Sequence, residues 1–136
     1  MPSSAPVRLF VYGSLRSDLG DLRPHQSAQA FAFLAANASL EGAATVSGRL
    51  YAPAWYPGLV SGSERQVHGE IWLLKTEAVL GPLDEFEGDA YERTTIPAQF
   101  SDGRRVTAHV YRYIAGIVGV PEIASGDYLD WVRNRS

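Results

Sequence analysis

The chain has 136 residues, 46% of them hydrophobic and 20% charged, which fits one domain with one core and the balance of an ordinary globule. Twelve basic residues against fifteen acidic ones leave a net charge of -3, so no domain-wide positive field exists to hold nucleic acid. There is no cysteine, which excludes disulfides, thiolate metal sites and a cysteine nucleophile, and no apolar run approaches the length of a membrane span.

In chain order, residues 1–6 read as a loose, disordered tail rich in Pro and Ser. They lack the basic region and apolar stretch of a secretory leader, so a cytoplasmic protein is the default expectation, with residues 7–136 as a single domain. Val7 to Tyr12 is an apolar run with β-branched and aromatic members that stops at Gly13, the pattern of a buried strand. Gly20 to Gln26, with Pro24 inside it, reads as a loop. Ser27 to Ala38 is Ala-rich, and Phe31, Leu34 and Ala35 at helical spacing predict a short helix. Thr45 to Tyr51 alternates as a strand does and ends near Pro53. Pro57-Gly58 marks a turn, and Val67 to Leu74 is a second apolar strand.

Thr76 is a candidate cap for a helix with Glu77 in its first turn. Gly81-Pro82 is expected to interrupt that helix, with Pro82 opening a new turn that runs to Phe86. Thr94 to Phe100 and Arg104 to Tyr113 flank Ser101-Asp102-Gly103, a hairpin signature. Ser125 or Asp127 caps a last helix through Tyr128, Leu129, Trp131 and Val132. The sum is about six strands and two or three short helices, an α+β domain whose closely spaced strands favour a curled sheet or small barrel.

Two stretches carry candidate chemistry. In Tyr12-Gly13-Ser14-Leu15, a glycine at a strand end lets backbone approach a ligand, and successive amides of such a turn form a concave site for a carboxylate or phosphate, with the Ser14 hydroxyl as a further donor. On these residues alone, a plain strand-ending turn is the commoner meaning. The turn lacks the Gly-Lys-Ser/Thr ending of a phosphate loop and the Gly-x-Ser-x-Gly spacing of a nucleophile elbow, so Ser14 reads as a ligand contact and not a nucleophile. The second stretch is Leu83-Asp84-Glu85-Phe86-Glu87-Gly88. Glu87 sits beside Phe86 and near Tyr91, and a half-dry aromatic setting raises a carboxyl pKa toward neutrality, where a carboxylate is an effective general base. A solvated acidic helix end is the simpler alternative. A glycosidase pair is disfavoured, because two acids on one helical turn point the same way instead of flanking a sugar. His25, His68 and His109 are scattered without metal-ligand spacing. The many tyrosines read as core or rim packing with satisfied hydroxyls.

Taken as an ordered set, Val11-Tyr12-Gly13-Ser14-Leu15-Arg16, Gly48-Arg49-Leu50-Tyr51, Tyr56-Pro57-Gly58-Leu59-Val60, Val67-His68-Gly69-Glu70-Ile71-Trp72, Leu83-Asp84 through Glu87-Gly88 and Tyr91-Glu92-Arg93 resemble the γ-glutamylcyclotransferase-like family, with its AIG2-like and γ-glutamylamine cyclotransferase branches. The resemblance covers about residues 7–115. It implies a small mixed β-barrel with flanking short helices, no cofactor and no metal. It also implies a small-molecule γ-glutamyl substrate that cyclises to 5-oxoproline and releases an amine. It makes Tyr12, Gly13, Ser14 and Leu15 the loop that holds the γ-glutamyl group, Glu87 the catalytic carboxylate and Tyr91 a border of the pocket. Arg16 stands where the glutathione-specific branch has a Trp-containing continuation, which points away from glutathione. The choice of leaving amine is expected to lie in the loops at residues 17–26 and 114–126. A non-catalytic module that binds a carboxylated metabolite or peptide on the same fold is the competing expectation.

Overall fold

A computed structural model of the chain describes residues 6–62 and 64–135. The expected tail, apart from Pro6, lies outside the described residues. Strand β1 (Val7–Val11) pairs antiparallel with β5 (Gln66–Leu74), from Val7 opposite Leu74 to Val11 opposite Glu70. The far edge of β5 pairs with β2 (Ala38–Ser47), which meets β6 (Tyr91–Phe100) at Ala44–Phe100 and Thr45–Gln99. β6 turns through residues 101–104 into β7 (Arg105–Tyr113), the expected hairpin. A parallel contact between Leu9 of β1 and His109 of β7 then closes a five-stranded mixed barrel.

Strand alternation explains why the Leu9–Val11 end of β1 is apolar on both faces. Phe10 points inward to pack with Val46, Val67, Ile71, Phe100 and Val110. Leu9 and Val11 belong to a second cluster outside the barrel, with Leu34 of helix α1 (Ala28–Asn37) and Leu80 and Leu83 of helix α2 (Leu80–Glu87). Among the described residues, no helix is long and apolar enough to cross a membrane.

The barrel is split at one corner. β1 holds β7 at His109, but three residues further on the strand β4 (Gly58–Val60) pairs with β7 at Arg112. β4 forms a hairpin with β3 (Arg49–Tyr51). Tyr12 bridges the split: its hydroxyl donates to the Tyr111 carbonyl at 2.6 Å and accepts from the Leu59 amide at 3.1 Å.

Several expectations are corrected. The strand expected from Thr45 begins at Ala38, directly after α1, and there are seven strands among the described residues, because Arg49–Tyr51 separates as β3. Gly81-Pro82 does not interrupt a helix. Pro82 lies in the first turn of α2, where a backbone amide has no intrahelical partner to lose. Thr76 precedes a single 3-10 turn, Glu77–Val79, without a side-chain capping bond. The loop from Gly20 to Gln26 is mostly 3-10 turns. Helix α3 (Tyr128–Arg133) is capped by Asp127, whose carboxylate accepts from the Leu129 and Asp130 amides.

Candidate functional site

A cavity of about 260 Å³ opens where the barrel splits. Its first wall is the turn after β1. The Arg16 amide donates to the Gly13 carbonyl at 3.1 Å, so Ser14 and Leu15 occupy the central positions of the turn. The amides of central residues are not consumed by a turn's own hydrogen bond. Both residues line the cavity, and the Ser14 side chain is buried there.

The back of this turn is tied down by charge. The Ser14 carbonyl accepts from the Arg23 guanidinium at 2.6 Å. Arg16, only 6% exposed, pairs with Asp18 at 2.6 Å and with the α3 cap Asp127 at 2.8 Å. Buried Glu70 accepts from the amide and hydroxyl of Ser17 and from the Trp72 indole. Arg16 is therefore a tether of the loop. Gly13 is needed for space, because a Cβ there would lie 2.6 Å from the Pro57 ring.

The second wall is the C-terminal end of α2. Glu87 is its last residue, and Gly88, with φ of 77°, stops the helix in a conformation that favours glycine. Glu87 is partly buried and lines the cavity beside Phe86. Burial pushes its carboxyl up from an ordinary 4.5 to about 7, and the negative charge of Asp84, one turn earlier, adds to the rise.

Asp84 behaves in the opposite way. Burial raises its pKa, but the Arg93 guanidinium, bonded at 2.9 and 3.3 Å, and the Tyr111 hydroxyl, bonded at 2.6 Å, outweigh that and hold it below the ordinary value. Two acids on one helical turn thus differ: Asp84 stays ionised, while Glu87 titrates near neutrality. Such a divergence separates an acid–base group from a supporting charge.

The third wall is the segment before β4. Tyr128 donates to the Trp55 carbonyl, Tyr91 to the Pro57 carbonyl, and the Leu59 amide donates to Tyr12. Burial raises the phenol pKa of Tyr12 and Tyr91, so both hydroxyls stay protonated within the frame. The rings of Trp55, Tyr56 and Tyr91 meet edge to face along the rim, with centroids 5.2 and 6.2 Å apart.

Tyr12, Gly13, Ser14, Leu15, Glu87 and Tyr91 therefore line one cavity. The two loops expected to shape it do so unequally. Gln26, at the end of the first, lines it; residues 114–126 do not, and instead send Ile123 into the core and bridge Glu122 to Tyr51. Trp55 and Tyr56 take that place. Their aromatic character beside Pro57 was the available signal. The Asp84–Arg93–Tyr111 group had none, since its members meet only in space. Among the described residues, no cluster of three His, Asp or Glu side chains could hold a metal ion.

Comparison with known proteins agrees with this architecture. The profile of the family described as gamma-glutamyl cyclotransferase, AIG2-like, matches residues 9–130. The Gamma-glutamylcyclotransferase family protein YtfP of Escherichia coli K12 is 33% identical over 127 residues, covering 91% of this chain and 97% of its own. The solution structure of ytfP from Escherichia coli superposes with a TM-score of 0.63 at 34% identity, over 92% of this chain and 98% of that one. An AIG2-like protein from Mus musculus superposes with a TM-score of 0.69 at 24% identity, over 91% and 90% of the two chains. YkqA from Bacillus subtilis gives 0.70 at 23% identity over 97% of this chain, which spans 44% of YkqA. With the profile running from β1 to α3 and the barrel shared by these structures, the chain belongs to the AIG2-like gamma-glutamyl cyclotransferase family.

Proposed function

We propose that the protein converts a γ-glutamyl amine or peptide to 5-oxoproline and a free amine, with Glu87 as the general acid and base. The observation that carries this reading is the sharing of one cavity by Glu87, whose carboxyl is raised to about 7, and the turn whose Ser14 and Leu15 amides occupy its central positions. The amides grip the substrate α-carboxylate. Ionised Glu87 takes a proton from the α-ammonium. The freed amine attacks the γ-carbonyl carbon, a C–N bond forms and the five-membered ring closes. The original amide C–N bond then breaks, the proton on Glu87 passes to the departing nitrogen, and the second proton of the ring nitrogen follows it, so that the lactam is neutral and the amine leaves as an ammonium. Holding amine and carbonyl together removes much of the entropy barrier to cyclisation. No water is consumed.

Purified protein incubated with γ-glutamyl amides in ¹⁸O-water is expected to yield 5-oxoproline without label. Labelled glutamate would mean hydrolysis, and binding without any product would mean a non-catalytic module.

Asp84 adds to burial in tuning the working pH in this scheme. Its charge raises the Glu87 pKa, so Asp84→Asn is expected to lower it. The acid limb of kcat/KM against pH, which requires ionised Glu87, then shifts to lower pH. A limb that stays near 7 in the variant would show that Asp84 does not act on the titrating group.

A further inference from the structure

The walls that the segment before β4 and its neighbours give to the cavity are aromatic. Trp55 and Tyr56 project from the segment before β4, with Phe86 and Tyr91 on the facing elements. Trp55 remains 38% exposed, a large apolar surface left at the mouth of a cavity and not buried in the core. The backbone that carries it is held, because the Tyr128 hydroxyl donates to the Trp55 carbonyl and the Tyr91 hydroxyl to that of Pro57 two residues later. The rim is therefore a braced surface.

No Lys, Arg or His lines the cavity among the described residues, and the polar side chain nearest in sequence to the first loop's end is neutral Gln26. The Arg16 and Arg23 guanidinium groups are engaged behind the turn, with Asp18 and Asp127 and with the Ser14 carbonyl. A carboxylate carried close to the scissile amide on the leaving side would thus lose water without meeting a cation, which is costly. An aryl or other apolar group there would bury against ring faces and edges, which is favourable.

We infer that the leaving amine is uncharged next to the amide and carries an aromatic or bulky apolar group that packs on Trp55 and Tyr56. This inference rests on the cyclotransferase reading of the same site and narrows its substrate class. It separates substrates that share the γ-glutamyl half entirely.

Three compounds isolate the two effects: γ-glutamyl-methylamide as reference, γ-glutamyl-phenethylamide to add an aryl group, and γ-glutamylglycine to add a carboxylate. With 5-oxoproline as readout, kcat/KM is expected to be ~10-fold or more higher for the phenethylamide than for the methylamide, as burial of an aromatic ring allows. For γ-glutamylglycine it is expected to fall below the methylamide. Trp55→Ala is expected to shrink the phenethylamide-to-methylamide ratio. Equal kcat/KM for the aryl and methyl compounds, a preference for γ-glutamylglycine, or an unchanged ratio in Trp55→Ala would overturn the inference.

Calorimetric affinities of the same compounds for Glu87→Gln separate this failure from failure of the cyclotransferase reading. If none of the compounds yields 5-oxoproline but the phenethylamide still binds more tightly than the other two, the chemistry is wrong and the aromatic subsite stands. If the affinities are equal, the subsite is wrong as well.

Discussion

Glu87→Gln is expected to reduce 5-oxoproline formation by ~10²–10⁴-fold in kcat, the range that a positioned acid–base group supplies. Glutamine matches glutamate in shape and hydrogen-bonding reach but cannot take a proton from an ammonium group. The same substitution is expected to stabilise the fold at neutral pH. Burial raises the Glu87 pKa from 4.5 to about 7, so the native state disfavours the ionised side chain relative to the unfolded chain. The contribution of protonated Glu87 is fully present below pH 4.5 and is lost as the pH rises to about 7. A neutral Gln escapes that loss, and the gap in thermal midpoint between variant and native protein should widen across this window and then level off. Activity and stability thus move in opposite directions in one variant. Full turnover by Glu87→Gln would remove the carboxylate from the mechanism, and loss of the folded state would contradict its environment.

What could be read in advance was whatever near neighbours in the chain decide. The end of β1 just before Tyr12-Gly13, the Ser101-Asp102-Gly103 hairpin and the short helix α1 that buries Leu34 are local patterns, and the structure follows them, although Ala35 of the expected stripe is exposed. The start of β2 is obscured because Gly42, Ala43 and Ala44 are weak strand formers, and a register shift between Leu40 and Gly42 breaks the strand's periodicity. Proline commonly marks a helix boundary, but Pro82 sits in the tolerant first turn of α2. The barrel itself was expected from the ordered family motifs. Nothing local announces the Leu9–His109 contact that closes it, since parallel pairing joins residues a hundred positions apart. The divergence of Asp84 and Glu87 likewise depends on Arg93 and Tyr111 arriving from β6 and β7. Gly13 was legible as a glycine, but its reason was not: it makes room for the Pro57 ring.

Gly69→Ala is expected to be among the most damaging single substitutions in the barrel, with a stability loss of ~3 kcal/mol or more. Gly69 lies in β5 beside the last rung of the β1–β5 ladder, where Val11 faces Glu70. A Cβ at Gly69 would stand 2.2 Å from the Val11 carbonyl oxygen and 2.7 Å from the Phe10 ring. The oxygen belongs to backbone in a paired strand, and the ring lies in the barrel core, so neither can rotate away. The end of β1 would have to move outward. Tyr12 follows directly, and its bridge to Tyr111 and Leu59 holds the split corner of the barrel. Residues 13–15 would move with it, while Glu87, on a separate helix, would not. A misplacement of about 1 Å between reacting groups can cost about 10²-fold in rate. Urea unfolding and 5-oxoproline kinetics on Gly69→Ala should therefore both report losses, with stability falling even without substrate. Native-like stability in that variant would mean that β1 can shift freely, and the rigid placement of the turn opposite Glu87 would lose its structural basis.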